Sequence, residues 1–266
     1  MSAAYFSVVE ETPLTGRYLS NPPTVGPWAD HLQHGGPPNA LAVAAAERAV
    51  RAETGREDLV ALRVAAEFIG AVPVDEVRTT ARVIRAARSA ALAEVVVSAG
   101  ERECVHARVW FVRTADTSRV APPLGEPVDL PDVAVNRDWD FGWARSLEWR
   151  FVRGLPGAPG GSEAWARPTL PLTDGHELFG LARVVMVADS ASGISAELDW
   201  QEWSFVNVDL DVHLARPFRG EWVVMDAETH LGEDGSGLTR STLSDRHGIV
   251  GAGLQTLVLA PLRRAG

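Results

Sequence analysis

Residues 34–41 read His-Gly-Gly-Pro-Pro-Asn-Ala-Leu and lead into an Ala-rich run that ends near Arg51. Proline is favourable in the first turn of a helix because its missing N–H has no helical partner there, so the run predicts a helix at 40–51. Strand-like segments follow at 63–68, 76–85, 90–98 and 103–112. One helix before a run of strands predicts an α+β fold, with the helix laid on an antiparallel sheet.

The second half of the chain repeats this order at an offset of 145 residues (180 − 35), which aligns Gly180 with Gly35. It predicts a second helix at 177–191 and strands at 206–214, 221–231, 237–244 and 248–259. A repeat this long indicates two tandem copies of one module rather than a solenoid of short units. The predicted modules are residues 1–115 and 137–266, and the Pro- and Asp-rich segment 116–136 is the predicted linker.

Three positions that are apolar in the first copy are polar in the second. At the 145-residue offset, Asp189, Asn207 and Gln255 align with Ala44, Leu62 and Trp110. Buried carboxylates and amides need hydrogen-bond partners, so they are costly to place in a core without a function. Their presence in only one copy indicates that the first copy is a scaffold and that the second carries the functional groups. Each residue also has a structural interpretation: a helix-end carboxylate for Asp189, a strand-end amide for Asn207 and an edge-strand surface residue for Gln255.

Composition excludes several classes of function. The chain of 266 residues has a formal net charge of −10, which disfavours nucleic-acid binding. All 25 basic residues are Arg, so P-loop and Schiff-base chemistry lack their lysine. His31 and His34 have no His or Cys complement, so we expect neither a metal nor a cofactor. The single cysteine, Cys104, and the lack of a span of about 20 apolar residues predict a cytoplasmic protein without a membrane span.

The ordered motifs resemble those of the type II, TesB-like acyl-CoA thioesterases. The resemblance rests on residues 34–41, on Val-Ala-Asp-Ser at 187–190, on Arg-Pro-Phe at 216–218 and on Gly-Ala-Gly-Leu-Gln-Thr at 251–256. It extends over most of the chain. It implies a double hotdog fold, two tandem helix-on-antiparallel-sheet modules in one chain, and hydrolysis of the thioester of fatty acyl-CoA. It further implies a homodimer or higher homo-oligomer.

The same resemblance implies the site residues. Family members hold a water with an Asp on the second helix, a Thr on a strand and a Gln on the last strand. Asp189 and Gln255 match that Asp and Gln, and Asn207 stands at the Thr position, where its amide can still bind a water. His34, Gly35 and Gly36 are the expected substrate-binding residues, because backbone N–H groups at a helix start can stabilise the oxyanion.

Two other functions compete with hydrolysis of acyl-CoA. A noncatalytic acyl-CoA binding protein is compatible with Asn207 in place of Thr. A hotdog hydratase or dehydratase would carry an Asp and a His close together on the catalytic helix, and no His follows Asp189 in residues 190–194. Trp139, Trp143 and Trp149 are expected on a strand face that packs the core.

Overall fold

The computed structural model describes residues 4–136, 138–155 and 157–262. The strands are β1 (Phe6–Glu11), β2 (Thr15–Ser20), β3 (Leu59–Phe68), β4 (Glu76–Ala86), β5 (Ala90–Ala99), β6 (Arg102–Arg113), β7 (Leu147–Arg153), β8 (Ser162–Pro168), β9 (Trp203–Asn207), β10 (Asp209–Leu214), β11 (Val223–Leu231), β12 (Ser236–Asp245) and β13 (Gly248–Pro261). The helices are α1 (Gly36–Thr54), α2 (Gly142–Arg145), α3 (Gly180–Ala188) and α4 (Ala191–Ile194). The fold is therefore α+β, as the sequence predicts.

One antiparallel sheet contains all the strands. Its order is β1-β2-β4-β5-β6-β3-β10-β13-β12-β11-β8-β7, and β9 pairs with β13 beside this path. The order is symmetric about the β3–β10 pair, because each strand on one side has a counterpart from the other half of the chain. Helices α1 and α3 contact each other and pack on the sheet, and the main hydrophobic core lies between these layers.

Helix α1 is longer than the predicted 40–51, because it begins at Gly36 and ends at Thr54. Pro37 lies in the first turn, where no N–H is needed, and Gly55 ends the helix with a left-handed φ of 63°. The Gly55 N–H donates to the carbonyl of Arg51. Ala40, Ala42, Ala45, Ala46 and Ala49 are all fully buried. Their small side chains let the helix backbone approach both the sheet and α3.

The second helix is shorter than the sequence predicts, because the helix is interrupted at Asp189. Helix α3 ends at Ala188, and α4 begins after Ser190. The Ser190 hydroxyl donates to the carbonyl of Val187 at 2.6 Å. Local hydrogen bonds of this kind compete with helix continuation, so Asp189 lies at a helix end rather than within a helix.

The pairing of the strands shows that the offset between the two copies is one residue longer in the strands than the sequence repeat indicates. Ala93 pairs with Val109 and Thr239 pairs with Gln255, so the equivalent offset is 146 residues (255 − 109). A slip of one residue moves a side chain to the other face of a sheet. Val109 is fully buried like Gln255, whereas Trp110 is on the opposite face. Gln255 therefore corresponds to Val109 and not to Trp110.

The same correction applies to Asn207. The β3–β6 register shifts between Ala61 and Arg63, and Val208 interrupts β9 and β10 at the equivalent place. Asn207 thus corresponds to Ala61 rather than to Leu62. Ala61 is buried, so the contrast between apolar and polar copies survives the correction.

The strand predictions hold for both sets of four strands, although β9 and β10 replace the single strand expected at 206–214. Strands β1, β2 and β8 were not predicted. The segment that contains Trp139 and Trp143 was expected as a strand, and this prediction was wrong, because Trp143 lies in α2 and Trp139 precedes it. Residues 116–136 contain no helix and no strand. The predicted module limits at residues 1, 137 and 266 lie outside the described residues.

None of the described helices is both long and apolar enough to cross a bilayer. Within residues 4–136, 138–155 and 157–262, no group of three or more His, Cys, Asp or Glu side chains is arranged to hold a metal ion.

Candidate active site

Asp189 is a buried carboxylate at the end of an apolar helix. Asp189 comes two residues after the fully buried Val187 and is itself only 5% exposed. Burial raises the pKa of Asp189 to about 6, while hydrogen bonds from the Asn207 side chain and from the Gly35 and Gly36 N–H groups oppose the rise. The group is therefore ionised for the most part at neutral pH and accepts a proton readily under mildly acidic conditions.

His34 lies against this carboxylate. Its Nδ1 is 3.1 Å from Asp189 Oδ2, and the imidazole stacks on Trp143 with ring centroids 3.7 Å apart. Burial lowers the pKa of His34 to about 3, so the ring is neutral. The Gly36 N–H donates to Nδ1 at 3.1 Å, so Nδ1 is the acceptor nitrogen of the neutral ring and the ring proton lies on Nε2. The same N–H also faces the Asp189 carboxylate and lowers its pKa. When Asp189 is protonated, its hydroxyl can donate to Nδ1.

Gly35 and Gly36 bring backbone up to Asp189 at a distance that a side chain would prevent. A Cβ on Gly35 would lie 2.7 Å and 2.8 Å from the two carboxylate oxygens of Asp189. A Cβ on Gly36 would collide with the carbonyl oxygen of Met186. The two glycines are thus required by close packing between the start of α1 and the end of α3.

Asn207 and Gln255 occupy different sides of Asp189. Asn207 Nδ2 donates to Asp189 Oδ1 at 2.9 Å and approaches the carbonyl of Asp209 at 3.3 Å. Gln255 does not reach the carboxylate: its Nε2 donates to the backbone carbonyl of Asp189 at 3.0 Å, and its Oε1 accepts from the Ser192 N–H at 3.1 Å. Gln255 is 1% exposed and ties together the chain on either side of Ser190.

A cavity of about 290 Å³ opens beside Asp189. Asp189, Asn207, His34 and Gly35 line it, and Gln255 lies behind them. Seven aromatic residues contribute to the remaining wall: Trp28, Phe68, Trp139, Phe141, Trp143, Trp200 and Phe205. An apolar cavity with a few convergent polar groups is the usual form of a small-molecule site.

The aromatic wall is the part of the site that sequence reasoning missed. Trp139 and Trp143 line the cavity instead of only filling the core, whereas Trp149 is buried in β7 as expected. The available signal was the number of Trp residues, nine in the chain, several of them outside the repeated strands.

Solved structures with the same fold come from several bacteria. An acyl-CoA thioesterase II, TesB2, from Mycobacterium marinum is 14% identical, with a TM-score of 0.71, and covers 97% of this chain and 96% of that chain. The tesB protein of Mycobacterium avium subspecies paratuberculosis is 14% identical, with a TM-score of 0.70 and 96% of each chain covered. A hot dog fold protein from Alicyclobacillus acidocaldarius is 13% identical, with a TM-score of 0.72 and 96% of each chain covered. These similarities show the hotdog fold.

Two family descriptions match the sequence itself. The acyl-CoA thioesterase N-terminal domain matches residues 24–112, and the acyl-CoA thioesterase C-terminal domain matches residues 127–259. No sequence among the curated proteins matches the chain. The second match alone covers half of the 266 residues, and together the two include the start of α1, Asp189, Asn207 and Gln255. The chain therefore belongs to the acyl-CoA thioesterase family.

Proposed function

We propose that Asp189 is the general base that activates water for attack on the thioester carbonyl carbon of acyl-CoA. Hydrolysis of acyl-CoA is the activity of the family to which the chain belongs. The observation that carries the proposed role is a buried carboxylate at the wall of a largely apolar cavity, with its pKa raised to about 6. A base with a pKa near the working pH combines ionisation with proton affinity.

Asp189 alone can accept and return the proton that the hydrolysis transfers. The water oxygen bonds to the carbonyl carbon while Asp189 takes a proton from the water. When the C–S bond breaks, the departing sulfur takes that proton and leaves as the CoA thiol. The free acid is the other product, and Asp189 returns to its ionised form.

The neighbouring residues are assigned positioning roles. Asn207 fixes Oδ1 by donating to it. His34, whose Nδ1 lies 3.1 Å from Oδ2, accepts from the Gly36 N–H and so holds the start of α1 beside the carboxylate. Gln255 fixes the backbone of Asp189 rather than a water, which differs from the role expected from sequence. The Gly35 and Gly36 N–H groups bond to Asp189, so in the free protein they stabilise the base instead of forming an open oxyanion hole.

We further propose that the chain is a double hotdog, with modules at 1–115 and 137–266 and a linker at 116–136. The support is the symmetric strand order and the equivalent ladder registers of the two halves. In this arrangement Ala61 and Val109 occupy the places of Asn207 and Gln255, so the chain has the polar set once. A homo-oligomeric state and a cytoplasmic location remain predictions.

The test is thiol release from acyl-CoA esters by the wild type and by Asp189→Asn. We expect the substitution to lower kcat by at least about a hundredfold, the usual contribution of a positioned base. Asp226→Asn is the matched control, because Asp226 is exposed on β11 and pairs with Arg153. Equal rates for Asp189→Asn and the wild type would contradict the proposed role of Asp189.

One observation favours a hydratase as the second candidate. Sequence reasoning counted against it because no His follows Asp189, yet the fold brings His34 to 3.1 Å from the carboxylate. The two activities separate in one experiment with an α,β-unsaturated acyl-CoA. Hydration removes the conjugated double bond without releasing thiol, whereas hydrolysis releases thiol and leaves the double bond intact.

A further inference from the structure

We propose that the acyl pocket takes a short acyl chain that ends in an aromatic ring, in preference to a long alkyl chain. The proposal names the substrate class of the cavity beside Asp189, and it rests on the thioester hydrolysis proposed above. Three features carry it: rigid aromatic walls, a short distance between those walls and Asp189, and an aromatic partition that ends the cavity.

The walls are flat and mutually braced. Trp200 stacks on Trp28 with centroids 5.6 Å apart and planes 14° apart. Phe205 meets Trp200 edge-on at 4.8 Å, and Trp139 approaches Trp200 at 6.5 Å. Side chains held by several ring contacts have few alternative rotamers. Such walls favour a planar guest that can add another stacked or edge-to-face contact.

The walls stand close to the reacting group. Phe205 and Asn207 are two residues apart in β9 and both line the cavity, a separation of about 7 Å along a strand. Trp200 packs over Gly193, where a Cβ would lie 3.5 Å from the indole edge. Gly193 comes only four residues after Asp189. An acyl group bound at Asp189 therefore meets the aromatic wall within a few carbons of its carbonyl.

The wall also ends the cavity. Trp139, Trp200, Phe141 and Pro27 line the cavity beside Asp189 and also line a second cavity, which Asp138 and Asp199 border. Side chains shared by two cavities separate them. An acyl chain longer than the first cavity must displace the Trp139–Trp200 partition and then meet carboxylates, which an alkyl tail does not favour.

The first experiment compares kcat/KM for phenylacetyl-CoA, octanoyl-CoA and palmitoyl-CoA with the wild type. We expect phenylacetyl-CoA to be favoured over octanoyl-CoA by about tenfold or more, the scale on which pocket shape discriminates. A preference for octanoyl-CoA or palmitoyl-CoA would overturn the proposal. It would leave the thioesterase assignment intact, so the two can fail separately.

The second experiment removes the partition. Trp200→Ala is expected to lower kcat/KM for phenylacetyl-CoA by about tenfold and to raise the relative rate with octanoyl-CoA. Trp222→Ala is the matched control, because Trp222 packs near Trp165 and Arg167, away from the cavity. An equal loss on all substrates by a folded Trp200→Ala protein would contradict a role in specificity.

The third experiment does not depend on turnover. Equilibrium binding of phenylacetyl-CoA and octanoyl-CoA to Asp189→Asn is expected to keep the preference for the aromatic acyl group, since the walls are unchanged. Tighter binding of octanoyl-CoA would overturn the proposal even for a protein that hydrolyses neither ester.

Discussion

The Gln255 side chain holds the backbone of Asp189, not its carboxylate, through a 3.0 Å bond from Nε2 to the Asp189 carbonyl. The same amide accepts from the Ser192 N–H at 3.1 Å. Gln255 therefore bridges the break between α3 and α4, where the helical hydrogen bonds are interrupted. Strand β13, which carries Gln255, thus fixes the backbone position of the proposed base.

Replacing Gln255 with Leu tests this bridge. The change leaves the Asp189 carbonyl and the Ser192 N–H without their partner, so we expect the free energy of unfolding to fall by about 1–3 kcal/mol. We also expect kcat to fall, because Asp189 loses its backbone support. Urea unfolding and thiol release measure both effects. Leu254→Ala, at an exposed position on the same strand, is the control, and equal stability of Gln255→Leu and the wild type would refute the bridge.

His34→Phe tests the imidazole as a positioning group. Phe keeps an aromatic ring that can stack on Trp143 but has no nitrogen to accept from the Gly36 N–H beside Asp189. Loss of this hydrogen bond, worth about 1 kcal/mol, frees the start of α1 beside Asp189 and predicts a kcat up to about tenfold lower. KM should change little. His31→Phe, on an exposed neighbouring residue, serves as the control. An unchanged kcat would show that Asn207 and the glycines orient Asp189 without help from His34.

Gly35→Ala tests the close approach of α1 to Asp189. The new methyl group would lie 2.7 Å from a carboxylate oxygen and 2.6 Å from the Phe68 ring. We expect a loss of about 1–3 kcal/mol in the free energy of unfolding, the usual cost of overpacking, together with lower activity. Gly70→Ala also lies on the cavity wall, but its Cβ would come no closer than 3.8 Å to its neighbours. A Gly70→Ala protein as impaired as Gly35→Ala would argue against this steric explanation.

The pH dependence of kcat reports on Asp189. With a pKa of about 6, the carboxylate is protonated below that pH and cannot accept a proton from water. We expect kcat to rise as the pH increases through about 6 and then to level. His34, with its pKa lowered to about 3, contributes no inflection in this range. A profile without an inflection between pH 5 and 7, in a protein that stays folded, would point to another base.

Protein stability should depend on pH through Asp189 and His34, and the contributions of the two residues change with pH in opposite directions. Between about pH 4 and 6, folded Asp189 holds a proton that the unfolded chain releases, so its contribution to stability falls as the pH rises. Between about pH 3 and 6.5, unfolded His34 binds a proton that the folded ring does not, so its contribution rises. Asp189→Asn removes the first contribution. Urea unfolding from pH 4 to 7 should therefore show a steeper rise of stability with pH for the variant than for the wild type.

Sequence reasoning found the strands of both halves because alternating apolar residues and turn glycines are local signals. It placed Asp189 in the site because the repeat aligns this carboxylate with the apolar Ala44 and because Asp189 matches the Asp of the family that the sequence resembles. It erred by one residue in the strands, since the equivalent interruptions at Leu62 and Val208 are 146 residues apart and not 145, and nothing in the sequence marks the extra residue before Val208. It could not find the aromatic wall, because Trp28, Trp139 and Trp200 come from three separate loops that only the tertiary fold brings together.

The interruption of the helix at Asp189 has an electrostatic consequence. The carboxylate sits where the negative end of the α3 dipole meets the positive end of the α1 dipole. The first end disfavours an anion, and the second favours it. The charge of Asp189 therefore depends on how closely the start of α1 is pressed against the end of α3. The Gly35 and Gly36 N–H groups at the start of α1 also lower the pKa of Asp189, so the contact between the two helices sets the strength of the proposed base.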